Sequence, residues 1–432
     1  MANLVIQGGR KLRGTLRTNS AKNSAVAILC ATAMIKGRTT LSEVPRIEEV
    51  KRIIEILSSL GLKIRWIGQH ELEIINAGRL HPEKIDRAAF LKTRSALLLM
   101  AALSAEFKKF SLPKSGGCKL GKRTVSPYLL AMEYLGIKVK STASAYQVSY
   151  AKKRGAEFTL YEKSDTGTEN TIMAAAVTPG RTVIHFASTN YMVQDLIAFL
   201  RKAGAKIQTE DGTIIINGIK KLKPVRSYPI MPDPIESMAF ISLAITTHSR
   251  LKITRCPIDF LRLEMEKLKV MGQKFKIGRS YLSPNRRFQL VDIEIIPSRL
   301  RALADKIHPQ PYPGLNIDNL PLFVPILTQA RGATLVHDWI YENRAIYYTE
   351  LSRLGANIML HDAHRVTVTG PTRFKPNEII CPPALRPSIN ILIGMLAAPG
   401  RSVLKNSYAI DRGYENLYAR LNKIGAQISV RE

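Results

Sequence analysis

Six short phrases recur along the chain: "LGLKI" (60–64), "LGIKV" (135–139), "AGAKI" (203–207), "MGQKF" (271–275), "LGANI" (354–358) and "IGAQI" (424–428). Their glycines, Gly61, Gly136, Gly204, Gly272, Gly355 and Gly425, fall roughly 70 to 80 residues apart. A repeat carried through a whole chain restricts the fold to copies of one supersecondary unit. Each phrase closes an amphipathic helical pattern. In "RIEEVKRIIEILSSLGLKI" the stripe is Val50, Ile53, Ile54, Ile56 and Leu57. The glycine then sits just past the helix end, where a left-handed backbone is easiest without a Cβ. The residues after it form a strand.

Each unit also carries a second helix, apolar on most faces: "SAVAILCATAMI", "SALLLMAALSA", "NTIMAAAV", "SMAFISLAI", "LPLFVPILTQA" and "SINILIGMLAA". A helix that is apolar all round belongs in a core. The β-rich runs "GRTTLSEV", "GRTVIHFA", "GATLVHDW" and "GRSVLKNS" follow such helices. The expected architecture is therefore α/β. Six βαβαββ-type units form two similar lobes of three, with buried central helices, as in an inside-out α/β barrel. The expected division is 22–231 for the first lobe and 1–21 with 232–432 for the second, with the active site in the cleft between them.

The starts of the buried helices are polar, and Lys22, Arg94 and Arg386 stand at three of them. A helix N-terminus already carries partial positive charge and unpaired N–H groups. Cations placed there cost stability unless an anion offsets them. The pattern points to a polyanionic ligand. The formal net charge of +30 agrees with anionic partners in general. The cations are spread along the chain, so nucleic acid is not expected. The first residues lack a signal-peptide core, and no apolar run approaches the roughly 20 residues of a membrane span. The expectation is a soluble, cytoplasmic protein.

The four cysteines are scattered, with no CxxC pair, which argues against a zinc site or a disulfide framework. Cys30 and Cys256 read as buried small hydrophobes. Cys118 differs, because "KSGGCKLGKR" (114–123) surrounds it with glycines and bases. Cationic surroundings lower a thiol pKa and make the thiolate accessible. "HDAH" (361–364) reads as a turn rather than a metal pair, and no phosphate-binding glycine motif precedes a suitable helix. No metal or organic cofactor is called for.

Together these motifs resemble the enolpyruvyl transferases. The resemblance runs from about residue 4 to 430 and is carried by "SAKNSA" around Lys22 and Asn23, "TRSA" at Arg94, "SGGCKLGKR", "GTENTIMAAA", "YENRA" (341–345), "LR" at Arg386 and "IDRGYENL" (410–417). The cysteine loop favours the sugar-nucleotide branch over the shikimate branch. The resemblance implies transfer of the enolpyruvyl group of phosphoenolpyruvate (PEP) to UDP-N-acetylglucosamine or a related anionic acceptor, by addition and then elimination of phosphate. In that branch this begins peptidoglycan precursor synthesis. It implies Cys118 as the general acid toward C3 of PEP, reactive toward the epoxide fosfomycin in the empty enzyme. Lys22, Arg123 and Arg412 become a phosphate clamp, and Arg94, Arg344 and Arg386 part of the same anion field. Asp318 becomes the base or orienter of the acceptor hydroxyl, with an N-cap role as the rival reading. Asn23, Lys163, Asp165, Gly167 and Tyr341 complete the substrate site.

Some positions depart from the branch pattern. "TVSPY" follows Arg123, with Ser126 where an acid is usual and Tyr128 near a histidine position. Asp165 replaces a serine, "NYMVQD" (190–195) replaces an acidic segment, Glu48 a basic residue and Ala384 an aspartate. These surround the acceptor, so another nucleotide or sugar acceptor is the first alternative. An RNA 3′-phosphate cyclase-like protein and an inactive homologue are the others.

Overall fold

The computed structural model describes residues 2–116 and 124–431. Residues 20–116 with 124–231 make one compact unit, and residues 2–19 with 232–431 make another. The chain thus passes from one unit to the other near residues 19–20 and 231–232.

The first unit is built on α1 (Lys22–Thr32), α2 (Glu48–Ser59), α3 (Leu99–Ser104), α4 (Ser126–Tyr134), α5 (Asp165–Ala176) and α6 (Tyr191–Lys202). The second holds α7 (Pro234–Thr246), α8 (Arg262–Val270), α9 (Leu320–Leu327) and α10 (Leu385–Ala397). The helices divide into two kinds, as their patterns dictate. Every residue of α7 and α9 is buried, and α1 is buried from Ser24 to Thr32. In α2 only one face is, through Val50, Ile53, Ile56 and Leu57, while Ile54 is half-buried. Truncating a wholly buried residue such as Ile53 to alanine costs about 2–5 kcal/mol.

Each unit carries three sheets. Five of the six share one layout: a parallel strand pair extended by two antiparallel neighbours. In the first unit Tyr228–Pro229 runs parallel to Gly37–Ser42, which continues antiparallel to Leu72–Asn76 and then Lys63–Trp66. In the second, Arg13–Arg17 runs parallel to Arg250–Pro257. The opening strand of the first repeat therefore belongs to the second unit's sheet. The sixth sheet has only Lys109–Pro113, Ala145–Ser149 and Lys138–Ser141 among the described residues. The sheets are open, and none among the described residues closes into a barrel.

All six repeat glycines have left-handed φ, from 81° at Gly136 to 108° at Gly61. At Gly136 a Cβ would lie 2.5 Å from the Lys152 carbonyl oxygen, so close approach adds to the conformational demand. Cys30 and Cys256 are both fully buried. "HDAH" forms the turn between strands Asn357–Leu360 and Arg365–Gly370, where Asp362 Oδ1 accepts the backbone N–H groups of His364 and Arg365 at 2.8 Å each. No helix among the described residues is long and apolar enough to cross a membrane.

Candidate functional site

In the first unit, α1 opens directly on Lys22, with no acidic residue in its first turn and no side-chain cap. Lys22 Nζ donates to Asn23 Oδ1 at 2.6 Å, and Asn23 Nδ2 donates to the hydroxyl of Tyr191 at 3.0 Å. Tyr191 is fully buried at the start of α6. Arg94 precedes the 3₁₀ turn Ser95–Leu98 that leads into α3. Its Nη2 donates to the Tyr128 hydroxyl at 3.0 Å and to the Thr124 carbonyl at 3.2 Å, and it forms no ion pair among the described residues. Asn23, Lys22 and Arg94 thus keep positive charge and polar donors at helix starts, an arrangement suited to carboxylate or phosphate oxygens.

The start of α5 carries the opposite charge. Ser164 caps it by accepting from Gly167 N at 3.2 Å. Asp165 accepts from Ser188 Oγ at 2.5 Å and from Asn190 Nδ2 at 3.0 Å. Gly167 is packed so that a Cβ would lie 3.2 Å from the Tyr128 ring, which makes it a spacing residue for Tyr128. Glu169 is 3% exposed, and its Oε1 has no hydrogen-bond partner among the described residues. Burial, reinforced by Asp165 and opposed by Lys22, holds its carboxyl well above the usual carboxylate range. Lys163 lies 5.9 Å from the Phe186 ring centroid.

The second unit gathers a different set. Arg344, 1% exposed, donates from Nε and Nη2 to both oxygens of Asp338, at 2.6 and 2.9 Å. Its Nη2 also reaches the Ile317 carbonyl at 2.7 Å, and its Nη1 reaches Asp318 Oδ1 at 3.4 Å. Arg386 Nη2 holds the other oxygen of Asp318 at 3.3 Å, while its Nη1 donates to Tyr414 at 3.1 Å. Tyr348, wholly buried, donates to Asp338 Oδ2 at 2.5 Å, and burial beside Asp338 pushes its phenol well above the usual range. The Tyr341 ring lies 4.3 Å from the Arg344 guanidinium carbon. Asp318 is not the side-chain cap of α9, whose N-cap residue is Asn319. Its carboxylate is instead fixed by two guanidiniums, and its own N–H donates to Asn316 Oδ1 at 2.8 Å. Such a carboxylate is an oriented acceptor for a hydroxyl. Arg412 follows the short helix Tyr408–Asp411 and is half-buried.

The structure therefore brings Lys22 and Asn23 together, and Asp318, Arg344, Arg386 and Tyr341 together. Cys118 and Arg123 lie outside the described residues. Asp338 and Tyr348 are absent from the sequence-based set, and so are Tyr128 and Tyr191 as partners of the cations. "TVSPY" and "NYMVQD" marked the last two only as departures. Their hydroxyls act across 34 and 168 residues, which no local pattern reveals.

The family model of EPSP synthase (3-phosphoshikimate 1-carboxyvinyltransferase) matches residues 6–421. The UDP-N-acetylglucosamine 1-carboxyvinyltransferase of Bradyrhizobium diazoefficiens is 32% identical, with 98% of this chain and 97% of the relative covered. The protein of that name from Treponema denticola is also 32% identical, with both chains covered in full. Among solved structures, the enolpyruvyl transferase NikO from Streptomyces tendae superposes with a TM-score of 0.87 at 23% identity, covering 100% of this chain and 99% of that one. EPSP synthase from Acinetobacter baumannii gives a TM-score of 0.77 at 18% identity, with both chains fully covered. These two likenesses establish the fold.

Proposed function

Since the chain belongs to the EPSP synthase family, we propose that it transfers the enolpyruvyl group of PEP to the 3-hydroxyl of UDP-N-acetylglucosamine and releases phosphate. The supporting observation is the Asp318 carboxylate, fixed by Arg344 and Arg386 as an acceptor for a hydroxyl proton. The relatives named for this reaction match over essentially the full chain. A water-soluble nucleotide sugar as acceptor fits a cytoplasmic enzyme of peptidoglycan precursor synthesis.

In the addition step, Asp318 takes or orients the proton of the acceptor hydroxyl as its oxygen bonds to C2 of PEP. Cys118 delivers a proton to C3 and becomes a thiolate. In the elimination step the Cys118 thiolate takes a proton back from C3, the C2–O bond to phosphate breaks with its electron pair going to the leaving phosphate, and the enol ether remains. Lys22, Asn23, Arg94, Arg123 and Arg412 offset the phosphate and carboxylate charge, which a low-dielectric site makes most effective. Bound phosphate also reduces the positive field at Cys118 and so favours the thiol it needs as an acid.

Phosphate release from PEP with UDP-N-acetylglucosamine tests the assignment. Cys118→Ala is expected to slow turnover on the order of 10²–10⁴-fold. Turnover unchanged in that variant overturns the role of Cys118, and no turnover in the wild type overturns the acceptor. One observation favours a second reading, a different nucleotide or sugar acceptor: the start of α5 already holds the Asp165 carboxylate. A panel of acceptors run in the same assay decides between the two.

A further inference from the structure

We propose that Tyr128 and Tyr191 are positioning residues of the anion site, Tyr128 fixing Arg94 and Tyr191 fixing Asn23 and, through it, Lys22. The inference rests on the reading that these cations receive PEP.

The amide of Asn23 has two acceptor lone pairs and two N–H donors. Its described bonds use one of each: Oδ1 takes Lys22 Nζ and Nδ2 gives to Tyr191. Reversing the amide would set an NH₂ group against the ammonium. The ammonium therefore selects this orientation and the Tyr191 hydroxyl accepts from Nδ2, which leaves one N–H of Asn23 for a ligand. Tyr191 is fully buried, and a buried phenol is held by its packing, so its hydroxyl is a fixed point.

Arg94 is fixed by one end. Both of its described acceptors, the Tyr128 hydroxyl and the Thr124 carbonyl, bind Nη2. Nε and Nη1 have no hydrogen-bond acceptor among the described residues, and the Glu162 carboxylate feels the charge without forming an ion pair with it. An arginine anchored on one edge presents a ready fork to a carboxylate or phosphate. Tyr128 is itself 7% exposed and packs against Gly167.

A neutral hydroxyl orients a cation without cancelling its charge. A carboxylate in the same place would orient it too, but would compete with the ligand. The two tyrosines therefore raise anion affinity by limiting side-chain freedom in the empty site. Ordering one long side chain accounts for about three- to tenfold in affinity.

The test measures Tyr128→Phe and Tyr191→Phe in the full chain, alone, together, and combined with Arg94→Met and Asn23→Leu. Each single phenylalanine is expected to raise KM for PEP about three- to tenfold with kcat changed less than about twofold. Tyr128→Phe should add nothing in the Arg94→Met background, nor Tyr191→Phe in the Asn23→Leu background. Calorimetric titration with PEP alone supplies the same comparison without turnover. If the wild type binds PEP but turns over no acceptor tried, the proposed reaction fails while the tyrosines are still tested. Unchanged PEP affinity in both phenylalanine variants overturns the inference, as does a full additive loss in the Arg94→Met and Asn23→Leu backgrounds. Thermal unfolding of each variant separates loss of fold from loss of position. Should Tyr191→Phe not fold, Tyr128→Phe with Arg94→Met decides alone.

Discussion

Arg344 and Arg94 each stand just before a 3₁₀ segment and are treated in opposite ways. Arg344 is 1% exposed and spends its donors on Asp338, Asp318 and a carbonyl. Arg94 meets a hydroxyl and a carbonyl and forms no ion pair among the described residues. One cation is compensated inside the protein and positions a carboxylate. The other is held by neutral groups and keeps its charge for something else. The difference separates a cation paired with carboxylates from one held by neutral groups, although both look alike as sequence.

The sharpest way to break this comparison is Arg344→Met. It leaves Asp338 fully buried without its counter-charge, and removing one member of a buried pair costs about 3–5 kcal/mol. Urea denaturation should show that loss, together with loss of turnover, because Asp318 loses one of its two guanidiniums. A stability within about 1 kcal/mol of the wild type would mean the pair is not what holds this region together.

A second contrast lies between two buried carboxylates. Asp338 has Arg344; Asp195, also fully buried, accepts from neutral groups, among them the Tyr228 hydroxyl at 2.6 Å and Met231 N at 3.2 Å. Burial outweighs those hydrogen bonds and pushes its carboxyl up to about 7. With the folded value raised, the unfolded chain loses the proton first, so stability falls as pH rises from about 4 to about 7 and levels off above. The full shift corresponds to at most ~4 kcal/mol. Asp195→Asn should flatten that part of the pH profile. It should also weaken the protein at pH 5, since an amide cannot accept from both neighbours. Denaturation midpoints of the two proteins at pH 5 and 7.5 measure both effects. Parallel slopes would remove Asp195 as the cause.

These contrasts also mark how far the sequence reaches. The repeat glycines, the two kinds of helix and the cations at helix starts follow from short-range rules of period, chirality and dipole, and they can be read residue by residue. The second repeat departs from the others because "RAAFLK" folds as the short helix Arg87–Lys92 where a parallel edge strand would enter. Its period of three and four is visible only once the sheet is seen to lack that strand among the described residues. Asp338 was missed because its role depends on a side-chain pairing across a turn, and burial of the partner decides its value. Tyr191 meets Asn23 across 168 residues, and that depends on how α1 and α6 pack. Asp318 illustrates the middle case. Its type and place in "NIDNLP" admitted a cap or a catalytic carboxylate, and the two arginines that hold it decide against the cap.

The smallest effect on folding is expected where the charge is open. Arg94→Met removes a cation that sits beside a helix start and forms no ion pair among the described residues, its charge only opposing the upward shift of the Glu162 carboxyl. No buried group loses a counter-ion, so stability should stay within about 0.5 kcal/mol of the wild type, and removing an unfavourable charge–dipole contact could raise it slightly. Binding should respond far more. A charge-assisted bond to carboxylate or phosphate contributes about 1.5–3 kcal/mol, so PEP affinity should fall about ten- to hundredfold. Titration calorimetry with PEP and thermal unfolding on the same sample read the two quantities together. Arg344→Met should show the reverse order, a large loss of stability with binding lost only as the fold loosens. If Arg94→Met instead destabilises as much as Arg344→Met, both arginines are structural and the open site is not an anion trap. If it changes neither stability nor affinity, Arg94 is a solvated side chain, and Lys22 with Asn23 must carry the PEP charge without it.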